Sequence, residues 1–181
     1  MMNRMYLFLL VVVMTSQIAL AQQYKTVQQM SATFQIKNAG LNVDGKFSNV
    51  KVDAMIDEKN ITKSTLSGII KANSVSTGNA KRDDHIKNKA EFFDVAKYPN
   101  IEMKAVKISP TKFKDSYKID WLITMKGISK KVSTDVLIAP QGGSVLLLAV
   151  FKLNRLDWKL GSKSATMSDE VMITLNCTLT K

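Results

Sequence analysis

From Ala32 to Leu179 the chain alternates apolar and polar residues with a period of two, segment after segment. Successive side chains of a β-strand point to opposite faces, so this period commits a chain to sheets with one greasy and one wet side. Ala32-Phe34-Ile36 alternates with Thr33-Gln35-Lys37, and Val50-Val52-Ala54-Ile56 with Lys51, Asp53, Met55 and Asp57. A strand over about Ser64 to Val75 follows. Further along come Ile101-Met103-Ala105, Tyr117-Ile119-Trp121-Ile123, Val132-Thr134-Val136-Ile138, a run from Ser144 to Leu153 that is partly apolar on both faces, and Val171-Ile173-Leu175-Cys177-Leu179. About eight strands result, joined by short turn-forming stretches: Asp57-Glu58-Lys59-Asn60, Pro110-Thr111, Lys126-Gly127 and Gln141-Gly142-Gly143. Short connections imply antiparallel neighbours. Eight one-sided strands must then hide their apolar face in a sandwich or a closed barrel.

One segment breaks the pattern. Residues 79–91 include the densest charge in the chain, Lys81-Arg82-Asp83-Asp84-His85-Ile86-Lys87, and its single histidine. Asn79 is suited to cap a helix there, because a short side-chain carbonyl accepts from free backbone amides. Ile86, Ala90 and Phe93 recur at helical spacing, and Asp83 and Lys87 are spaced for an ion pair. Phe92, Phe93, Val95 and Tyr98 follow as an apolar plug before Pro99. The expectation is a short helical lid, charged outside and greasy beneath, over one end of the sheet.

The chain opens with Arg4, an apolar run Tyr6–Val13, and Ala19-Leu20-Ala21. That order of positive, apolar and small residues marks a secretory signal peptide over 1–21, cut before Gln22. One exported domain, residues 22–181, is expected. The net charge is +11, and Arg4 is the only charged residue of the leader. The lysines are scattered rather than clustered, so the basic balance suits a solubilising surface or an anionic membrane surface; no nucleic-acid partner is expected. Cys177 is the only cysteine and falls on an apolar strand position, the place of a small buried hydrophobe.

Chemistry is sparse. Asp83, Asp84 and His85 are consecutive, so on a helix they diverge by about 100° each and do not converge on a metal. With one histidine, a serine triad would have to use His85, and Gly142-Gly143-Ser144 lacks the flanks of a nucleophile elbow. No catalytic residue, metal or cofactor is expected. Arg82, Asp83 and His85 are expected to pin the helix or to touch the polar end of a ligand.

Ser74-Val75-Ser76-Thr77-Gly78, Arg82-Asp83-Asp84-His85-Ile86, and Phe92 through Ile101 together resemble the central signature of the YceI-like polyisoprenoid-binding family. Phe34-Gln35-Ile36-Lys37, Val43-Asp44-Gly45-Lys46-Phe47, Gly127-Ile128-Ser129-Lys130, Asn154-Arg155-Leu156-Asp157-Trp158 and Ser168-Asp169-Glu170-Val171 extend the likeness in order. Two positions depart from it: Asn38-Ala39-Gly40 and Lys126 stand where relatives often carry histidine. The resemblance implies an all-β, eight-stranded antiparallel, lipocalin-like barrel. It also implies a periplasmic setting, no enzymatic activity, and a lumen for a long-chain isoprenoid or fatty amphiphile.

An eight-stranded barrel is just wide enough to be filled by its own side chains or to admit one slender ligand. The inward candidates are Phe34, Ile36, Phe47, Ile70, Phe93, Met103, Trp121, Ile123, Val136, Leu147, Phe151 and Ile173. The alternative is a solid core, with a basic outer surface that binds anionic glycans or membranes. Open sheet edges also leave room for a homodimer.

Overall fold

The computed structural model describes residues 23–181; the expected signal peptide, residues 1–21, lies outside them. Eleven strands form one curled sheet. They are β1 Gln23–Tyr24, β2 Thr26–Asn38, β3 Leu41–Phe47, β4 Val50–Asp57, β5 Thr65–Lys71, β6 Val75–Ser76, β7 Asn100–Pro110, β8 Ser116–Met125, β9 Ile128–Gln141, β10 Ser144–Asn154 and β11 Met167–Thr180. One helix, α1 Ala80–Asn88, stands between β6 and β7. Every ladder is antiparallel, in the order β1-β4-β5-β7-β8-β9-β10-β11-β2-β3-β6.

The expected count of eight is corrected to eleven. β2, β4, β5 and β7 to β11 are the eight strands read from the alternation; β1, β3 and β6 are additional. β3 escapes the pattern because its inward positions are Val43, Gly45 and Phe47, and a glycine carries no apolar signal. The expected strand from Ser64 to Val75 is also corrected. It breaks after Lys71 into a 3₁₀ turn at Ala72–Ser74, whose Ala72 is fully buried and donates its amide to Pro99 O at 2.9 Å. This turn carries the chain across to β3, where Val75 and Ser76 pair with Phe47 and Lys46.

The N-terminal chain joins the sheet to itself. Gln23 and Tyr24 pair with Asp57 and Ile56 on β4, and from Thr26 onward the same chain pairs with β11. No ladder joins β3 to β4 among the described residues. The sheet is thus tied at one end and open between β3 and β4 towards the other.

The interior has two unlike halves. Near the tied end, Tyr24, Ile56, Ile119, Ile138, Val145 and Leu179 are at most 3% exposed and pack as a solid plug. Further along the same strands the inward positions border open space instead. On β10 the change comes between Val145 and Leu147, and on β8 between Ile119 and Trp121.

Candidate functional site

The hollow half is a cavity of about 600 Å³, within the range of pockets that enclose small-molecule ligands. Its wall is apolar almost throughout. All twelve inward candidates border it: Phe34 and Ile36 on β2, Phe47 on β3, Ile70 on β5, Met103 on β7, Trp121 and Ile123 on β8, Val136 on β9, Leu147 and Phe151 on β10, Ile173 on β11, and Phe93 from the segment after α1. Trp121 shows how a polar tip is kept out of the cavity. Its indole N–H donates to Thr134 Oγ1 at 2.9 Å within the wall, which leaves an apolar face towards the space. Trp158 does the same by donating to Ile123 O at 3.2 Å. Among the described residues, no buried side-chain nitrogen or oxygen lacks a partner, so the wall makes no demand for a polar guest.

The sequence had put no ligand role on Cys177, yet its side chain borders the cavity too, near the solid plug. Burial pushes its thiol up to about 11, because an apolar setting disfavours the thiolate. The free thiol therefore behaves as a small hydrophobe at neutral pH.

The other end is covered by α1 and the residues after it. Asn79 caps the helix, accepting from Arg82 N at 3.0 Å. The helix ends at Asn88, three residues earlier than the sequence indicated, and Ala90 lies exposed outside it. Asp83 does not make the expected ion pair with Lys87. It turns inward, where its carboxylate accepts from Thr77 N at 2.8 Å and Thr77 Oγ1 at 2.6 Å. Arg82 completes the knot, donating to Thr77 Oγ1 at 2.7 Å and Thr77 O at 2.9 Å. Arg82 and His85 border the cavity beside Asn79 and Lys81, while Asp83 does not. The mouth is therefore the polar, basic end of an otherwise greasy space.

Three further contacts hold the lid. Lys126 donates to Ala90 O at 2.8 Å and to Lys159 O at 3.0 Å. It sits in the tight β8–β9 turn with Gly127, both at positive φ, a backbone that a two-residue hairpin requires. A Cβ on Gly127 would lie 3.2 Å from the Tyr98 ring, so the lid's last aromatic rests on that turn. The amide of Gly161 donates to Glu91 O. Of the two positions that depart from the family pattern, Asn38 borders the cavity and Lys126 fastens the lid.

Arg155 is a key residue whose role the sequence did not disclose. It is 4% exposed and donates to Ser168 O, Leu160 O and Asp169 Oδ1 at 2.8–2.9 Å. It thereby binds the 3₁₀ turn after β10 to the start of β11, on the rim of the cavity. The Asn154-Arg155 pair, with Asn154 capping that turn at Leu156 N, was the available signal.

Among the described residues, no three His, Cys, Asp or Glu side chains gather as metal ligands, and no helix is long and apolar enough to cross a membrane.

Comparison with known proteins places this architecture. The YceI-like domain model matches residues 24–179. A UPF0312 protein of Pectobacterium atrosepticum is 33% identical over 128 residues, 68% of this chain and 65% of its own length. A UPF0312 protein of Yersinia enterocolitica is 30% identical over the same extent. The match thus spans a little under two thirds of these curated relatives. Among solved structures, BcnA of Burkholderia cenocepacia superposes with a TM-score of 0.78 at 19% identity, covering 82% of this chain and 95% of its own. A Campylobacter jejuni YceI protein gives 0.71 at 24% identity, covering 78% and 86%. A domain from Saccharophagus degradans, described as polyisoprenoid-binding and implicated in plant cell wall breakdown, gives 0.68 at 11% identity, covering 88% and 98%. At these identities the structural likenesses speak for the fold.

Proposed function

The chain belongs to the YceI-like domain family, and from that premise we propose that it is an exported, periplasmic binding protein. In this reading its hollow half holds the tail of a long-chain isoprenoid or similar amphiphile. The apolar cavity of about 600 Å³ beneath the lid is the observation that carries the reading. Each ligand CH₂ transferred from water into such a space contributes about 0.8 kcal/mol. Association and ordering cost roughly 4–15 kcal/mol, so a short chain binds poorly and a long one well. The basic mouth at Lys81, Arg82 and His85 favours a tail-first orientation, with the polar head left near α1. Holding a lipid requires no reacting group. The alternative of a solid core that acts only through its basic surface has less support, since it expects no internal cavity and the inward side chains border one of about 600 Å³.

The test is organic extraction of gently purified protein followed by mass spectrometry. One long-chain lipid per protein molecule is the expected result. Protein that comes out empty, and that takes up no added polyprenol, would overturn the reading.

A further inference from the structure

Six of the eight glycines have positive φ, the backbone that favours glycine. A seventh, Gly45, lies under the Phe34 ring. Gly68 has neither reason. It sits in the middle of β5, where a residue without a side chain weakens the strand. Its φ is not positive. Its ladders run unbroken past Val52 on β4 and Met103 on β7, so it makes no bulge. A Cβ built there would meet the Lys51 carbonyl oxygen at an ordinary 3.6 Å, and no described side chain within 4 Å.

Gly68 nevertheless holds an inward position. It borders the cavity together with Leu66 and Ile70 on the same face of β5, and with Val52 and Met103 across the two ladders. These four side chains frame a notch in the wall that none of them fills. Leu66 is 6% exposed and packs with the solid core, so the notch lies deep, against the tail of a ligand rather than its head. Water does not suit a notch framed by Leu, Ile, Val and Met.

We infer that Gly68 sets the width of the cavity, and that its missing side chain makes room for a side branch of the bound tail. The inference rests on the lipid reading. A straight polymethylene tail passes the notch and leaves part of it unfilled, which forfeits contacts there. A branched tail can place a methyl in it, and each methyl moved from water to an apolar site strengthens binding about fourfold. Valine at this position closes the notch. A β-branched residue suits a strand, and the open space at the Cβ position accepts it, so the change acts on the ligand and not on the fold.

Delipidated protein offered phytanol and hexadecanol together tests this. The two alcohols share a main-chain length and differ in their methyl branches. The ratio of bound phytanol to bound hexadecanol, read by gas chromatography of organic extracts, should fall about fourfold or more in Gly68→Val, chiefly through lost phytanol. Gly68→Ala should shift the ratio the same way by less. Thermal unfolding midpoints of both variants should equal or exceed that of the parent. Ile69→Ala, next on the strand but outside the cavity wall, should leave the ratio as it is. An unchanged ratio in Gly68→Val, with both alcohols still bound, would overturn the inference and leave the lipid reading standing. So would an equal loss of both alcohols, or a lower midpoint in both Gly68 variants. A parent that takes up neither alcohol would overturn the lipid reading, and this inference with it.

Discussion

The far end of the Phe34 ring fills the space over Gly45, its partner across the β2–β3 ladder: a Cβ built on that glycine would overlap Phe34 Cζ. The missing side chain makes room for the ring, which in turn touches Phe47 at a centroid distance of 5.8 Å. Phe47 touches Phe93 of the lid at 5.9 Å. A glycine on one strand therefore sets the position of an aromatic chain that runs from the wall to the lid.

Gly45→Ala should drive the Phe34 ring off the strand and into the cavity. The expected cost is about 1–3 kcal/mol by urea denaturation, together with less lipid co-purifying with the protein. In the Phe34→Ala background the same substitution should cost much less, because its clash is with that ring. Equal cost in both backgrounds would place the strain elsewhere.

Asp83 anchors the lid as a carboxylate. Burial by itself would raise its pKa, but hydrogen bonds from the Thr77 hydroxyl and amide and from Ser76, with the charge of Lys87, outweigh it and hold the group below its ordinary value. A folded-state pKa below the unfolded one stabilises the protein above the unfolded value, about 3.9 for aspartate. That stability disappears as pH falls through the folded value. Asp83→Asn should lose about 1–3 kcal/mol at pH 7. Its deficit against the parent should shrink on acidification below about pH 4, as urea denaturation at several pH values would show.

Lys126 is the clasp between the lid and the β8–β9 turn. Its removal in Lys126→Ala leaves the Ala90 and Lys159 carbonyls to water, and a partly exposed contact of this kind contributes about 1 kcal/mol. Release of a bound fluorescent polyene, followed by stopped-flow mixing, should quicken several-fold. Unchanged release would mean that ligands leave by another route, such as the gap between β3 and β4.

Cys177 reports on the cavity from inside. With its thiol at about 11, labelling by a neutral maleimide should be slow at pH 8 and accelerate roughly tenfold per pH unit, as thiolate chemistry requires. Delipidated protein should label faster than protein saturated with a polyprenol. Rates independent of lipid would show that the tail does not reach the thiol.

Local order fixed much of this protein in advance. The alternation at Val50–Ile56, Tyr117–Ile123 and Val171–Leu179 can only be a one-sided strand, because side chains on an extended backbone alternate whatever surrounds them. Asn79 announced a helix start for the same local reason. Other features depend on residues distant in sequence, and the sequence alone did not reveal them. β3 went unseen because Gly45 borrows its apolar cover from Phe34. Asp83 chose Thr77 over Lys87 because burial placed a hydroxyl and an amide in its reach. Ile119 and Trp121 are two inward positions of one strand that read alike, yet one packs in a solid plug and the other borders open space. Whether a ring of inward side chains meets at its centre is a sum over all the strands of the sheet, and only their assembly in three dimensions decided that it does at one end and not at the other.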